Sequence, residues 1–438
     1  MQIDLTRSHS SLLINKFCTL SFCLTFTELA NRAFVLNFVA FKKTYNGEKY
    51  KMKKKKKLVA AQIGCGKFPW MQDLPNLSTN PDVTLKWACD IRKESAENAA
   101  KQFGIPNTTT DFMDIVNDPE VDFIKIATSH DAHLPIIGAA AKAGKHIFCE
   151  KPMAMTNEDC YKIIHIVRQS GIKFCVDLNR RTSPAMLDMK AQYLKQKAKP
   201  RHNPWRYIET SREPLEEENL PHLMIRIQDE SSSYSLVHLN PLHGGGEVIG
   251  ESVHWLDLAC WLFAPAYPTE ITAWGSSRLS HGIHLRFSDG ASMTLDFSCS
   301  GTFDYPKEQY ELTHNAALFR SLNFVENTVY GIPGEGTTFF QLQKGPRIHG
   351  FEDFKKKYLE RLKNSTNAKK QENTSPFLAD KGHLNMLNGF IKAIQNDTES
   401  PCTEIDGFRS TYLANRAIAS MEMKQTLPIP IEKIFPCL

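Results

Sequence analysis

The chain has no C-x-x-C pair, so neither a zinc knuckle nor a thioredoxin-like redox site is available. Its eleven cysteines are scattered from Cys18 to Cys437. Several, including Cys89, Cys149 and Cys175, lie inside apolar runs and read as small buried hydrophobes in a reducing compartment. A spanning helix needs about 20 apolar residues free of charge. The apolar-rich stretch Leu12 to Phe41 is instead broken by Lys16, Glu28 and Arg32. A secretory signal places its basic residues before the apolar stretch, whereas here the main basic run, Lys53 to Lys57, follows it. A basic body is also lacking. The formal net charge is +5, but residues 1–57 hold 12 Lys and Arg against 3 Asp and Glu, so the remainder is net −4. That balance gives no support for binding nucleic acid by charge. Neither an internal repeat nor a coiled-coil heptad is visible.

What is present is an ordinary globular composition, 42% hydrophobic and 23% charged over 438 residues. That length suits two or three domains, each able to bury a core. Met52 stands before Lys53–Lys57 and the apolar run Leu58–Ile63. Met52 therefore reads as a natural start, residues 1–51 as an extension, and residues 1–57 as lying outside the fold. From Leu58 short apolar runs alternate with helical stretches. Leu58–Ile63, Val83–Cys89, Phe123–Ala127, His146–Cys149 and Lys173–Leu178 read as strands, and Lys93–Phe103, Pro135–Ala143 and Asn157–Gln169 as helices. This alternation predicts a doubly wound α/β domain with a parallel sheet over residues 58–180.

The turn after the first strand reads Gly64-Cys65-Gly66-Lys67-Phe68-Pro69. Its two glycines suit a tight turn and close approach of backbone N–H groups to a pyrophosphate. Pro69 stands where a third glycine or alanine is usual, and proline is tolerated in a first helical turn. A lone G-x-G is weak on its own, but here it follows a strand. Asp90 then ends the next strand 24 residues after Gly66. An acid there can bond both ribose hydroxyls and repel a 2′-phosphate, while Arg92 could welcome one. The expected cofactor is NAD, with NADP as the alternative. Capping the next helix is the plain structural role for Asp90.

The chain then reads Val121-Asp122-Phe123-Ile124-Lys125-Ile126-Ala127-Thr128-Ser129-His130-Asp131-Ala132-His133, followed by Ala143-Gly144-Lys145-His146-Ile147-Phe148-Cys149-Glu150-Lys151-Pro152. Here it resembles the glucose-fructose oxidoreductase / inositol dehydrogenase / rhizopine-catabolism (Gfo/Idh/MocA) family. The family's pattern is a strand ending A-T-P, a His a few residues on, then A-G-K-H and E-K-P; Ser129 replaces the usual proline. The resemblance implies a Rossmann nucleotide domain and a Lys151 that touches the substrate hydroxyl. It also implies that residues 64–68, Asp90, Thr128, Ser129, His130, His133 and Glu150 surround the dinucleotide. In an open parallel sheet, strand C-terminal ends face the ligand crevice, which is where Lys151 falls. Its plain alternative is a structural ion pair.

Asn179-Arg180-Arg181-Thr182-Ser183-Pro184 resembles the family's N-R-R-F-x-P exit from the nucleotide domain, with Thr182 for the aromatic. Asn179 and Arg180 are candidates to reach nicotinamide or substrate, and Arg181 an interdomain ion pair. A second match is Gly244-Gly245-Gly246-Glu247-Val248-Ile249-Gly250-Glu251-Ser252-Val253-His254-Trp255-Leu256-Asp257. The common family form carries an Asp four residues before the His; here that position is Gly250, and Glu251 follows. A subset of the family has G-E-x-x-H, including members fused to zinc-dependent dehydrogenase-like domains. Either Glu251 substitutes for the acid or the acid is dispensable. The spacing predicts one helix, Glu251–Phe263, with Glu251, His254 and Asp257 on one face. A carboxylate there would raise the His254 pKa and fix its tautomer. His254 is the candidate acid/base beside Lys151, with a packed core His as its alternative; Asp257 fits an ion pair better.

The remainder, residues 181–438, predicts an α+β domain with a large, mostly antiparallel sheet for substrate binding and oligomerisation. Thr269–Ser277, Gly282–Ser288 and Ser292–Cys299 read as strands, with Asp289-Gly290 a hairpin turn, and Phe319–Tyr330 and Thr337–Lys344 add more. Lys355–Lys370 reads as a charged surface segment and Asn364–Ser375 as a polar loop. Helices follow over Leu384–Ile394 and about Ile405 to Met423. The resemblance implies an NAD(P)-dependent dehydrogenase acting on a carbinol carbon of a sugar, sugar derivative or cyclitol. Lys151, His254 and Glu251 would be catalytic, and Lys151, Asn179, Arg180 and His254 would touch substrate. No metal is implied, and no membrane or nucleic-acid partner. A cytoplasmic homo-oligomer, dimer or tetramer, is expected. Two other readings share the fold: a glycoside hydrolase that uses NAD transiently, and a non-catalytic NAD-binding regulator.

Overall fold

The computed structural model describes residues 57–199, 219–230, 236–302, 304–364 and 378–434. Residues 1–56 of the expected extension and residues 365–375 of the expected polar loop lie outside those residues.

Six strands form the first sheet: β1 Leu58–Ile63, β2 Val83–Cys89, β3 Asn107–Thr109, β4 Phe123–Ile126, β5 His146–Cys149 and β6 Phe174–Val176. Their order is β3-β2-β1-β4-β5-β6, and every pairing is parallel. This is the dinucleotide-binding order, with its topological switch between β1 and β4. Helices cover both faces, so the central strands are apolar on both sides; all four residues of β4 and all three of β6 are buried. Helix Lys93–Phe103 lies where the pattern placed it. Helix Asn157–Ser170 starts where the Thr156 side chain accepts the Asp159 N–H at 3.1 Å, a cap that satisfies one orphan donor.

The second sheet has nine described strands in the order β14-β13-β12-β11-β7-β10-β9-β8-β15. These are β7 His222–Gln228, β8 Pro268–Gly275, β9 His281–Phe287, β10 Ser292–Ser298, β11 Glu308–His314, β12 Ala317–Leu322, β13 Glu326–Tyr330, β14 Thr337–Phe339 and β15 Leu427–Pro428. Only β7 and β10 pair in parallel. The predicted turn at Asp289-Gly290 joins β9 to β10, with Gly290 at φ +83°.

Several elements differ from the sequence reading. The sixth strand is confined to Phe174–Val176. The single strand expected over Phe319–Tyr330 is two, broken where Asn323 and Phe324 take positive φ. The last expected strand stops at Phe339. Central strands β7 and β11 went unread; the inward set of β11 begins and ends on buried polar residues, Glu308 and His314, which hides its alternation. The charged segment after Phe351 is helical over Phe351–Asn364 and buries Phe351 and Phe354.

The C-terminal helices return to the first sheet. Phe390, on helix His383–Asn396, stacks on Phe148 at 5.4 Å and meets Phe123 edge-on at 5.7 Å. The Cys402 carbonyl accepts the Val176 N–H at the β6 edge. One continuous apolar core therefore joins the two sheets, and the crevice above the β1/β4 switch has a rigid floor.

Candidate active site

The loops after β1 and β4 meet at the switch point. Gly64 sits at φ +91°, and a Cβ there would lie 2.2 Å from the Ala127 carbonyl oxygen. Only glycine allows this approach. A Cβ at Gly66 would meet nothing within 4 Å, so the surface above it is open. The Asp90 carboxylate, at the end of β2, accepts the Cys65 and Arg92 backbone N–H groups, each at 2.9 Å. It holds the loop and caps no helix. An open glycine turn braced by an acid at the next strand end fits a dinucleotide at pyrophosphate and ribose.

Beyond the turn opens a cavity of about 710 Å³, within the range of small-molecule sites. Lys67, Phe68, Thr128, His130, Glu150 and Lys151 line its nucleotide side. Glu251, His254 and Arg180 line the other. Lys151–Pro152 is a cis peptide. The Lys151 ammonium donates to Glu251 Oε1 at 2.6 Å and to the Gly250 carbonyl at 2.5 Å. Against the opposing effect of burial, Lys151, His238 and Arg180 hold the Glu251 carboxyl down to about 2, so it is ionised at neutral pH.

This geometry corrects the expected Glu251–His254 couple. Val248–Ser252 is a π-helical turn, and the α-helix begins only at Val253. The turn directs Glu251 to Lys151. A Cβ at position 250 would lie 2.5 Å from the His238 ring, so a side chain there requires that ring to move. His254 is buried with its Nδ1 unpartnered. Its pKa is pushed well below the ordinary value by burial, then by Arg180 and Lys151, not raised by an acid. The imidazole of His254 is neutral and lines the cavity that holds Lys151, with its Nδ1 buried in the protein.

Arg180 makes a two-pronged ion pair to Glu308, at 2.8 and 2.9 Å, and lies 4.9 Å over the Trp255 ring. Glu308 also accepts from Lys381 at 2.6 Å, Tyr310 OH at 2.5 Å and Trp255 Nε1 at 3.2 Å. Those donors, led by Arg180 and Lys381, hold Glu308 well below its usual range although burial opposes them.

A second buried charge centre lies beneath Lys151. The ammonium of Lys125, from the middle of β4, reaches Glu150 at 2.5 Å, Asp177 at 3.3 Å and Asp73 at 3.4 Å. These three acids bring carboxylate oxygens within 4.8 Å of one another, and Lys125 pairs with each. Burial, reinforced by Asp177 and Asp73, pushes Glu150 well above its ordinary value. Lys125 and His383 hold Asp177 down against burial. His383 meets Asp177 at 3.3 Å.

Several expected site residues stand outside the cavity, and others at its wall are committed to protein partners. His133 is fully buried with Nδ1 on the Pro152 carbonyl at 3.0 Å; it supports the cis turn from behind. Glu150 reaches the wall, but its carboxylate is committed to Lys125. Asn179 is fully buried, bonding the Lys381 carbonyl and His383. Asp90 and Arg92 lie at the end of β2, away from the cavity lining, with Arg92 largely exposed. Ser129 begins the short turn His130–Ala132, and the His130 Nδ1–H donates to the Gly244 carbonyl, 2.8 Å away. Arg181 pairs with Asp257 and Asp406, and Asp257 is an ion-pair partner as expected. The sequence reading missed Lys125, Lys307 and Glu308. The one available signal was a lysine inside the apolar run of β4.

Residues 59–178 match a family described as "Oxidoreductase family, NAD-binding Rossmann fold", Gfo/Idh/MocA. Oxidoreductase YrbE of Bacillus subtilis (strain 168) is 24% identical over 388 residues, spanning 86% of this chain and 97% of that protein. Inositol 2-dehydrogenase/D-chiro-inositol 3-dehydrogenase of Lactiplantibacillus plantarum is 39% identical over 113 residues, 25% of this chain and 32% of that protein. A solved levoglucosan dehydrogenase, in complex with NADH and levoglucosan, superposes with a TM-score of 0.67 at 20% identity, covering 86% of this chain and all of that one. That last likeness carries the fold.

Proposed function

Starting from a chain that belongs to the Gfo/Idh/MocA family of NAD-binding oxidoreductases, we propose that it oxidises or reduces a carbinol carbon of a sugar, sugar derivative or cyclitol. One observation carries this reading: a lysine ammonium fixed by a carboxylate and a carbonyl lines the same cavity as a neutral histidine. The names of the levoglucosan and inositol relatives support the substrate class.

When bound, the dinucleotide supplies the hydride donor or acceptor. The Gly64–Phe68 turn and Asp90 hold it, and the acid at position 90 favours NAD over NADP. The Lys151 ammonium donates a hydrogen bond to the reacting oxygen and stabilises the negative charge that builds there as its proton leaves for His254. Glu251 fixes the ammonium in place. His254, held neutral, accepts a hydrogen bond or a proton from the same hydroxyl. Arg180, locked on Glu308, presents a rigid polar wall.

The outward face of the second sheet mixes exposed Met224 and Trp274 with the charged pair Arg226–Asp296, a composition that suits homo-oligomerisation. The described cysteines are buried free thiols, which supports a reducing, cytoplasmic setting. No described helix is long and apolar enough to cross a membrane.

Lys151→Ala tests the reading. Turnover of a polyol panel is expected to fall at least ~100-fold, while NADH affinity, read by fluorescence titration, stays within about threefold. Turnover that survives with NADH bound would sink the assignment. Net NADH formation from a free polyol also separates this reading from the glycoside hydrolase.

A further inference from the structure

Deepening the proposed function, we infer that the substrate carries an anionic group, a carboxylate or a phosphate ester, received by Lys307 and Lys381. The lining of the cavity is lopsided in charge. Five Lys or Arg side chains face it, namely Lys67, Lys151, Arg180, Lys307 and Lys381, against two acids, Glu150 and Glu251. Both acids are already engaged, Glu150 with Lys125 and Glu251 with Lys151.

The counter-ions of the other cations lie behind them. Lys307 pairs with Asp229 at 2.6 Å, and Lys381 with Glu308 at 2.6 Å. The two acids are 1% and 0% exposed, whereas the two lysine side chains are 30% and 25% exposed. Acids therefore form the floor and ammonium groups the surface. Two cations, Arg180 and Lys381, converge on the single carboxylate of Glu308, which leaves one positive charge uncompensated in that cluster.

An ammonium has three donors, and each of these lysines spends one on its acid. Two donors on each remain for a ligand. Mutual repulsion is already felt: burial, then Arg180 and Lys307, lower the Lys381 pKa despite Glu308. An anion placed there relieves that repulsion and meets charge-assisted donors. Asn323 and Tyr305 border the same end of the cavity and offer neutral polar groups to the rest of a polyhydroxyl substrate. The charges of Lys381 and Lys151 both bear on His254, so the anion end and the reacting end belong to one site.

The test compares three probes that share one ring: D-glucose, D-glucuronate and D-glucose 6-phosphate. Binding to the NADH-loaded protein is measured by calorimetry, and turnover separately by NADH absorbance. At least one anionic probe is expected to bind roughly tenfold or more tighter than glucose, the effect of about one charge-assisted hydrogen bond. The carboxylate and phosphate arms tell which anion the site takes. Lys381→Gln is expected to reduce that preference about tenfold, and Lys381→Arg to retain most of it. Should Lys381→Gln fail to fold, Lys307→Gln reads the same preference from the other lysine. Equal binding of the three probes, binding of none, or a preference untouched by both glutamine variants overturns the inference. Anion-selective binding without turnover of any polyol would count against the proposed function and leave this inference standing. Equal turnover of neutral and anionic probes would do the reverse.

Discussion

Replacing Lys125 by methionine removes the ammonium that Asp73, Glu150 and Asp177 share. Methionine keeps the aliphatic stem and nearly fills the volume, so the change is mainly one of charge. Lys125 is 1% exposed, and its three ion pairs span 2.5 to 3.4 Å. Removing one partner of a buried ion pair costs about 3–5 kcal/mol. The contact of the ammonium with the Phe148 ring, 4.1 Å away, is lost too.

The pH dependence carries the sign. In the native protein Lys125 and His383 hold Asp177 below its ordinary range although burial opposes them. A depressed carboxylate contributes stability above its unfolded value near 4, and that stability is lost as pH falls through the lower folded value. Without Lys125 burial dominates, and all three folded pKa values rise above the unfolded ones. A raised carboxylate penalises the folded state increasingly as pH climbs from about 4 toward the raised value. The deficit against wild type is therefore expected to be about 3–5 kcal/mol near pH 7.5 and roughly half that or less near pH 5. Urea unfolding of both proteins at both pH values measures it. Adding Glu150→Gln to Lys125→Met removes one unpaired charge and recovers part of the loss near pH 7.5. A deficit below about 1 kcal/mol, or an equal deficit at the two pH values, refutes the reasoning.

Gly64→Ala drives a Cβ into the Ala127 carbonyl at positive φ and is expected to cost roughly 2–4 kcal/mol, read by thermal melting. Gly66→Ala, whose Cβ meets nothing within 4 Å, leaves the melting temperature within about 2 °C yet weakens NADH binding by crowding the dinucleotide; unchanged affinity would place the cofactor elsewhere. Glu251→Gln removes the charge that fixes Lys151, so kcat is expected to fall about 10–100-fold, read by steady-state kinetics. Adding Gly250→Asp to that variant is expected not to rescue it, since the His238 ring must first be displaced; rescue would refute the geometry. The thiols of Cys65, Cys89 and Cys160 are each pushed up to about 12, by burial first. Peptides holding them should stay unlabelled by iodoacetamide at about pH 8 until denaturant is added; labelling of Cys160 in the native protein within minutes contradicts its burial.

The parallel sheet was legible because strands buried on both faces must be continuous apolar runs, and helices between them must carry the 3.6-residue repeat. Lys151 was legible for a related reason: it follows directly on such a run, where strand ends face the crevice. Residues whose meaning depends on distant partners stayed hidden. Glu251 has no local feature that distinguishes Lys151 from His254 as its partner. One extra residue per turn at Val248–Ser252 decides it, and π-turns of this kind are common at functional sites without a sequence signature of their own. Glu308 reads as a polar strand end, yet it is fully buried beneath five donors that come from four segments of the chain. Lys307, beside it in sequence, pairs with Asp229 and opens to the cavity. Lys307 immediately precedes β11 and Glu308 begins it, so one neighbour lines the cavity while the other is buried as a counter-ion. A dipeptide that looks like an ordinary charged turn thus specifies both the counter-ion and the cation of the proposed anion site. That division of labour exists only once β11 lies next to β7.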